Sequence, residues 1–164
     1  MERIEEIDKD GNTIAVHPKD FLKTKMFLHK VSMIIPRGED GTFILSRRAK
    51  DKHPFPDTRC CAIGGKVAVG ESFEEAAIRE GQEEAGLALE LEEVVRFLYD
   101  EDDYKALFAV YTTKEPILLS AITCDPAEIQ SVRAYTLEEM SAVAQSNQNN
   151  PTFREAVKVF ISKL

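Results

Sequence analysis

The chain has 164 residues, of which 43% are hydrophobic, and it carries a formal net charge of −8. The length suits one domain with a substantial core, no apolar run approaches the ~20 residues of a membrane span, and the charged N-terminus is unlike a secretory signal. The negative charge argues against general binding to nucleic acid polymers or to membranes, so we expect a cytoplasmic protein that could still take a small phosphorylated ligand.

A series of apolar or β-branched runs, separated by turns rich in Gly, Pro and Asp, predicts the strands. In chain order they are ERIEEI, TIAV, FLHKVSMIIP, TFILSRR, CCAIGG, LALELEEVVRFLYD, ALFAVYTT and EIQSVRAYT. The first two predict a hairpin which, with the short helix HPKDFLKTKM, makes up an N-terminal segment over 1–26. The loop AKDKHPFPDTR leads into CCAIGG, which we predict to be one short buried strand.

Capping residues mark where the first long helix begins and ends. Ser72 has Glu75 three positions on, a capping box that starts a helix at Phe73. Gly86 is a natural stop because glycine readily adopts the left-handed conformation of a helix C-terminus. The sequence therefore predicts a helix over 73–85.

Two more helices are predicted near the C-terminus. TLEEMSAVAQ has helical spacing, and Asn150 followed by Pro151 opens a last helix. Its buried face should carry Phe153, Ala156, Val157, Phe160 and Leu164. Strands mixed with helices in this order predict a layered α/β domain over 1–164, with helices on the faces of a mixed sheet.

The helix over 73–85 has an unusual distribution of charge. With a turn of ~100° per residue, Glu80 and Glu84 lie on the same face of the helix as the apolar residues of its first turns, and Glu83 lies at the edge of that face. Arg79 is predicted to project the other way. Clustered carboxylates repel one another, and the negative end of the helix dipole adds to the repulsion. A hard divalent cation such as Mg²⁺ or Mn²⁺ would offset this and often bridges carboxylates to substrate phosphates, so we hypothesise metal-assisted attack of water on phosphorus.

From Gly65 onward the sequence resembles the Nudix signature G-x5-E-x7-R-E-U-x-E-E-x-G-U, in which U is a bulky aliphatic residue. The matching positions are Gly65, Glu71, Arg79, Glu80, Glu83, Glu84, Gly86 and Leu87. The one departure is Gly81 at an aliphatic position, which costs roughly 1 kcal/mol of helix stability relative to alanine. The resemblance implies an α/β/α sandwich around a central mixed sheet. It also implies a pyrophosphohydrolase that uses Mg²⁺ or Mn²⁺ to cleave a nucleoside diphosphate linked to another moiety X.

The resemblance also implies roles for the residues of the signature. The carboxylates of Glu80, Glu83 and Glu84 would coordinate the metal. A backbone carbonyl oxygen of Gly64 or Gly65 would complete its ligands. Glu80 is also a candidate for deprotonating water. Arg79 would hold a carboxylate through a salt bridge, and Glu71 would support the junction between loop and helix or an outer metal.

In this family the general base often lies outside the signature. The candidates are the acids of the loop EDDYK and one later acid, namely Glu101, Asp102, Asp103 and Glu128. A solvated hairpin tip is the alternative for 101–103. The basic stretch SRRAKDKHPFPDTR leads into the site. Two interpretations are open: its cations bind the phosphates of the substrate, or it is an ordinary basic loop that balances an acidic protein. The candidates for phosphate binding are Arg47, Arg48, Arg59 and Lys66.

The chain from about Phe27 onward contains LHKVSM, SRRA, GES and LFAVYTT, and in these segments it also resembles isopentenyl-diphosphate isomerase, a Nudix-fold enzyme that hydrolyses nothing. The cysteine of that enzyme would stand at Gly64, whereas the nearest here is Cys61, which we predict to face away from Gly64. His29 fits one of its metal-binding histidines, but Leu22 and Lys66 stand in place of the other two. We therefore expect reduced structural cysteines and structural or solvated histidines, including His53.

A third alternative is a non-catalytic module that senses nucleotides. Such modules tend to lose the catalytic glutamates, and Glu80, Glu83 and Glu84 are all present. The resemblance favours a small-molecule diphosphate as the partner and, because Nudix proteins are frequently dimeric, leaves a homodimer as an expectation.

Overall fold

The computed structural model describes residues 2–52 and 55–164. Within these ranges the strands are β1 (Arg3–Ile7), β2 (Thr13–Pro18), β3 (His29–Ile34), β4 (Phe43–Arg48), β5 (Arg59–Cys61), β6 (Ile63–Lys66), β7 (Leu91–Asp100), β8 (Lys105–Thr113) and β9 (Ile129–Tyr135). The helices are α1 (Phe73–Ala85), α2 (Leu137–Gln145) and α3 (Pro151–Ile161), and a short 3₁₀ helix spans Lys19–Lys23. In the same ranges, no helix is long and apolar enough to cross a membrane.

The strands pair into three sheets. The largest has the order β6-β3-β8-β7 and is mixed, because β3 and β8 run parallel while its other neighbours are antiparallel. A three-stranded antiparallel sheet has the order β5-β4-β9, and β1 pairs with β2 alone. The predicted α/β/α fold with a central mixed sheet is confirmed, and a three-stranded antiparallel sheet is present in addition to it.

β3 shows how the larger sheet separates two parts of the core. Val31 and Met33 face a cluster that includes the buried side chains of α2 and α3. Ile34 faces a second cluster, which contains Phe73 and the alanines of α1. Both faces of β3 are therefore buried, as its continuous apolar run indicates. Ser32 is satisfied in this environment because its Oγ donates to the carbonyl oxygen of Phe73 at 2.7 Å.

Local capping fixes the position of α1. The Ser72 hydroxyl accepts from the Glu75 N–H at 3.0 Å, and the Glu75 carboxylate accepts from the Ser72 N–H at 2.8 Å. Gly86 ends the helix with φ of 67°. The predicted capping box and stop are confirmed, and Asn150 likewise caps α3 by accepting from the Thr152 N–H.

Two local predictions are wrong. CCAIGG is not one strand, because β5 ends at Cys61 in the three-stranded sheet and β6 begins at Ile63 in the four-stranded sheet. Both sheets are buried here, so the run of apolar residues gives no sign of the change of sheet. Leu164 lies beyond the end of α3 and is 52% exposed, unlike the four earlier residues of its predicted face. The loop that precedes β5 includes His53 and Pro54, which lie outside the described residues.

Candidate active site

A cavity of about 320 Å³ lies where β3, β6 and β8 meet β4 and β5. Its lining combines both signs of charge with an apolar wall. The charged members are Lys19, Arg48, Lys52, Lys66, Glu80, Glu84 and Glu128. The apolar and aromatic members include Val31, Met33, Phe55, Cys60, Cys61, Tyr104 and Phe108. Carboxylates and cations therefore face the same enclosed space.

The glycine pair of β6 lets acidic side chains reach the backbone. A Cβ built on Gly65 would overlap the carboxylate of Glu80. A Cβ on Gly64 would lie 2.9 Å from Cys61 Sγ and 3.2 Å from the Ser32 carbonyl oxygen. The Gly64 N–H donates to Glu84 Oε2 at 3.1 Å. Glycine is therefore required at position 65 by the close approach of Glu80 from α1, and at position 64 by Cys61 and the backbone of β3.

Arg79 organises the acids around it. Its Nε and Nη2 donate to the two oxygens of Glu71 at 2.7 and 2.9 Å, and its Nη1 donates to Glu80 at 2.8 Å and Glu83 at 3.2 Å. Nη2 also donates to the Lys66 carbonyl oxygen at 3.2 Å. The prediction that Arg79 projects away from the site is wrong, because its long side chain reaches around the helix. The hydrogen bonds from Arg79 lower the pKa of Glu71, although burial opposes them.

Glu80 and Glu84 are carboxylates that lack a full set of positive partners. Burial raises the pKa of Glu80 despite its contact with Arg79. Burial also raises the pKa of Glu84 to about 8, and the negative charges of Glu80 and Glu128 add to the effect while the Gly64 N–H opposes it. Both acids would ionise more readily beside an added cation.

The acids of α1 do not yet form a complete metal site. Glu83 contacts Arg79 and its side chain is 59% exposed, whereas that of Glu80 is 10% exposed. Among residues 2–52 and 55–164, no three His, Cys, Asp or Glu side chains converge closely enough to hold a metal ion. Glu80 and Glu84 line the cavity together, and Glu83 lies outside its lining.

The four cations proposed for phosphate binding divide into two pairs. Arg48 and Lys66 line the cavity, and burial lowers the pKa of Lys66 to about 8. The buried Nε of Arg48 has no hydrogen-bond partner among the described residues. Arg47 and Arg59, which are cross-strand partners on β4 and β5, instead line a separate pocket.

The candidate bases also differ in position. Glu128 lines the cavity, and its Oε2 forms an ion pair with Lys52 Nζ at 2.6 Å. Glu101, Asp102 and Asp103 are exposed at the turn between β7 and β8 and do not line the cavity. The one residue of that loop that does line it is Tyr104.

Sequence reasoning missed three residues that line the cavity. Lys52 belongs to the basic stretch before the signature, but its pairing with Glu128 depends on a contact between distant parts of the chain. Lys19 comes from the N-terminal segment, and Tyr104 follows an acidic turn, so neither carried a signal. Tyr104 is held by its hydroxyl, which lies 3.3 Å from His29 Nε2, while His29 Nδ1 lies 2.9 Å from the Phe27 carbonyl oxygen.

The prediction that Cys61 faces away from Gly64 is also wrong. Its Sγ lies against Gly64, and both cysteines line the cavity with their sulfur atoms 3.7 Å apart. The alternation rule fails here because Ala62 separates two strands of different sheets. The three cysteines are free thiols.

The comparisons with known proteins agree with this geometry. A NUDIX domain match covers residues 27–157. An uncharacterized Nudix hydrolase of Listeria monocytogenes is 32% identical over 131 residues, which are 77% of this chain and 74% of that protein. A prenyl-diphosphate phosphatase of Methanosarcina mazei is 26% identical over 163 residues, covering 96% of this chain and 94% of its own.

Solved structures show the same fold. The crystal structure of DR0079 from Deinococcus radiodurans matches with a TM-score of 0.80 at 22% identity, covering 96% of this chain and 98% of that one. The MutT protein from Methanosarcina mazei matches with a TM-score of 0.69 at 20% identity, covering 83% and 94%.

A cavity lined by acids of α1 and by cations agrees with an enzyme that acts on phosphoanhydrides. The chain belongs to the Nudix family. It is a hydrolase that acts on pyrophosphate bonds, and enzymes of this family generally use a divalent metal.

Proposed function

We propose that the protein hydrolyses the diphosphate linkage of a nucleoside diphosphate joined to another moiety X, with Mg²⁺ or Mn²⁺ held by the acids of α1. The observation that carries the proposal is the shared lining of one cavity by Glu80, Glu84, Arg48 and Lys66. A diphosphate placed there would have cations beside its oxygen atoms. The carboxylates of α1 would be available to hold a metal ion next to it.

The residues of the site fit a hard divalent cation. Glu80, Glu84 and a backbone carbonyl of Gly64 offer the oxygen ligands that such cations prefer, and Glu83 would join them on leaving Arg79. The raised pKa of Glu84 has the physical cause expected of a metal ligand without its metal, since burial and like charges disfavour its ionised form. When bound, the cation would supply charge neutralisation at the diphosphate.

The cations of the cavity are assigned to the substrate. Arg48 lines the cavity, and its guanidinium group would pair with phosphate oxygens there. Lys66 would add a positive charge next to the glycine pair. Arg79 has a positioning role, because it already donates to Glu71 and Glu80.

Among the candidate bases, Glu128 is best supported, because it lines the cavity opposite α1 and is oriented by Lys52. A water between Glu128 and the substrate would give up its proton to this carboxylate or to Glu80. Glu101 and Asp103 would need a movement of the turn between β7 and β8 to reach the substrate.

A second candidate substrate is a diphosphate with a hydrocarbon group. Val31, Met33 and Phe108 form an apolar wall, and the polar groups nearby are already paired within the protein: Ser46 donates to the Cys61 carbonyl oxygen and Thr152 to Asn150. A nucleobase would find few partners there. The prenyl-diphosphate phosphatase that this chain resembles points the same way.

One observation supports the isomerase alternative and another contradicts it. Cys61 lies beside Gly64, close to where that enzyme has its cysteine. His29, however, is fully buried with both ring nitrogens near oxygen atoms of Phe27 and Tyr104, so it is not free to bind a metal. Cys61→Ser should leave hydrolysis unchanged and would abolish an isomerase reaction.

Activity with defined products tests the proposal. Nucleotide sugars, nucleoside diphosphate derivatives and prenyl diphosphates are incubated with Mg²⁺, Mn²⁺ or excess EDTA, and the products are identified. We expect hydrolysis that requires metal and that falls about 100-fold or more in Glu84→Gln. Glu74→Gln on the exposed face of the same helix is the matched control. Full activity of Glu84→Gln, or turnover in EDTA, would contradict the mechanism, and binding without products would favour a sensing module.

A further inference from the structure

The two arginines that lie outside the active-site cavity belong to a second pocket of about 180 Å³. Its lining is Leu45, Ser46, Arg47, Arg59, Ser131, Arg133 and Tyr135. Of these residues only Ser46 also lines the active-site cavity. The second pocket is therefore a distinct feature of the three-stranded sheet.

Strand register explains why three guanidinium groups converge there. Arg47 of β4 pairs with Arg59 of β5 and with Ser131 of β9. Arg133 follows Ser131 by two positions, so its side chain lies on the same face. The sheet thus places cations from all three of its strands around one depression, in a protein whose net charge is negative.

Tyr135 supports two of these arginines. Arg59 Nε donates to the Tyr135 hydroxyl at 3.0 Å, and the guanidinium carbon of Arg133 lies 3.9 Å from the centre of the Tyr135 ring. Although burial opposes it, hydrogen bonds to Arg133 and Arg59 lower the pKa of Tyr135. Tyr135 therefore orders the guanidinium groups of Arg59 and Arg133 at this pocket.

Two acids lie nearby and do not cancel this charge. Asp57 pairs with Arg47 at 2.8 Å and Glu139 pairs with Arg133 at 3.0 Å, and all four side chains are at least 42% exposed. Exposed pairs of this kind are weak. In the described ranges no carboxylate lies within ion-pair distance of Arg59, so its terminal N–H groups are available to a ligand.

The volume of the pocket limits the ligand. Ordinary small-molecule sites measure roughly 300–1,000 Å³, so a pocket of about 180 Å³ suits a single tetrahedral oxyanion rather than a nucleotide. Arginine pairs with phosphate oxygens through two parallel hydrogen bonds, and Ser131 adds a hydroxyl donor. We propose that Arg59, Arg133 and Ser131 form a phosphate-binding site outside the active site, a proposal that does not rest on the proposed function.

Amide chemical shifts of the full chain, followed by NMR in EDTA at constant ionic strength, test this site. Inorganic phosphate is titrated against chloride, and we expect saturable shifts at Ser131, Arg133 and Tyr135. Arg59→Gln and Arg133→Gln should each weaken phosphate binding at least about tenfold, which corresponds to 1.4 kcal/mol. Arg96→Gln is the matched control, because Arg96 also pairs with an acid, Glu93, and lies 4.4 Å from an aromatic ring.

A parallel titration with methyl phosphate distinguishes the source of the anion. Tighter binding of the ester would assign the site to a phosphate group on a larger molecule, and tighter binding of inorganic phosphate would assign it to the free ion. Thermal melting shows that each variant is folded. Shifts confined to the residues around Lys66, or equal affinity in Arg59→Gln and wild type, would overturn the proposal.

Discussion

Arg79 is the residue on which the arrangement of the acids depends. One guanidinium reaches Glu71, Glu80 and Glu83 and also a backbone carbonyl. Its planar fork matches the two oxygens of Glu71, which a lysine ammonium cannot reproduce. The acids of the loop and of α1 are thus tied to a single side chain.

Arg79→Lys should therefore lose both stability and activity. Loss of charge-assisted hydrogen bonds to Glu71 should cost about 2 kcal/mol in the free energy of unfolding, measured in urea. Metal-dependent hydrolysis should fall at least about tenfold, because Glu80 loses its orientation. Arg96→Lys, which changes one exposed ion pair with Glu93 and one contact with an aromatic ring, serves as the control. Wild-type activity in Arg79→Lys would show that the fork has no positioning role.

His29 gives the fold a specific sensitivity to acid. Burial lowers its pKa from 6.5 to about 4, so the unfolded chain binds a proton more readily than the folded one. The stability that depends on neutral His29 is complete above pH 6.5 and is lost as the pH falls towards 4. The difference between the two pKa values corresponds to roughly 3 kcal/mol.

Urea unfolding between pH 7 and pH 4 measures this effect. The pH dependence of wild type should be steeper than that of His29→Gln, which has no titrating ring at this position. His17→Gln is the control, since His17 is only half-buried and pairs with Glu6 at 2.6 Å. Parallel curves for wild type and His29→Gln would show that His29 is not the source of the acid sensitivity.

At the scale of the element, α1 explains why the chain departs from the signature at Gly81. A Cβ at Gly81 would lie 3.2 Å from Leu89 Cδ1 and 3.6 Å from the Leu87 carbonyl oxygen. The segment that follows the helix therefore fills the space that an aliphatic residue would occupy. Loss of the side chain is compensated from outside the helix.

Gly81→Ala should raise the free energy of unfolding by about 0.5–1 kcal/mol, because alanine favours the helix and the nearest atom is the end of a flexible side chain. Gly81→Ile, which restores the residue type of the signature, should instead destabilise by about 1–3 kcal/mol through overpacking against Leu89. Gly86→Ala is the control for a strained position, with φ of 67°. Urea unfolding measures all three, and a stable Gly81→Ile would contradict the account of the packing.

Features set by local sequence were predictable, and features set by distant contacts were not. Ser72 and Glu75 cap each other within one turn, so the start of α1 follows from spacing alone. The break at Ala62 depends on which sheet each half of CCAIGG joins, and the grouping of Arg47 with Arg59 and Ser131 depends on pairing between strands that are distant in sequence. The reach of Arg79 around its helix depends on side-chain length, which an azimuth calculation ignores.

At the scale of the whole molecule, the burial of Glu84 links metal binding to stability. Ligands that bind only the folded state raise its stability, so Mn²⁺ should raise the melting temperature of wild type and leave Glu84→Gln nearly unchanged. In EDTA, Glu84→Gln should melt at a higher temperature than wild type, because it removes a buried carboxylate whose ionisation is unfavourable. Since the folded-state pKa is raised, this advantage of the variant should grow as the pH rises towards 8.

Melting curves with and without metal, at pH 6 and pH 8, measure this prediction. Glu74→Gln should behave as wild type in all four conditions, because Glu74 is exposed on the first turn of α1. An equal response of Glu84→Gln and wild type to Mn²⁺ would place the metal elsewhere.

The passage of the chain from one sheet to the other at Ala62 couples the two halves of the molecule mechanically. A single residue separates Cys61, on the arginine-bearing sheet, from Ile63, which leads into the glycine pair. A shift of one sheet relative to the other would therefore strain the backbone at Ala62. A one-residue insertion after Ala62 should therefore shift Gly64 and Gly65 out of register with the side chains of α1, because one residue joins the two strands.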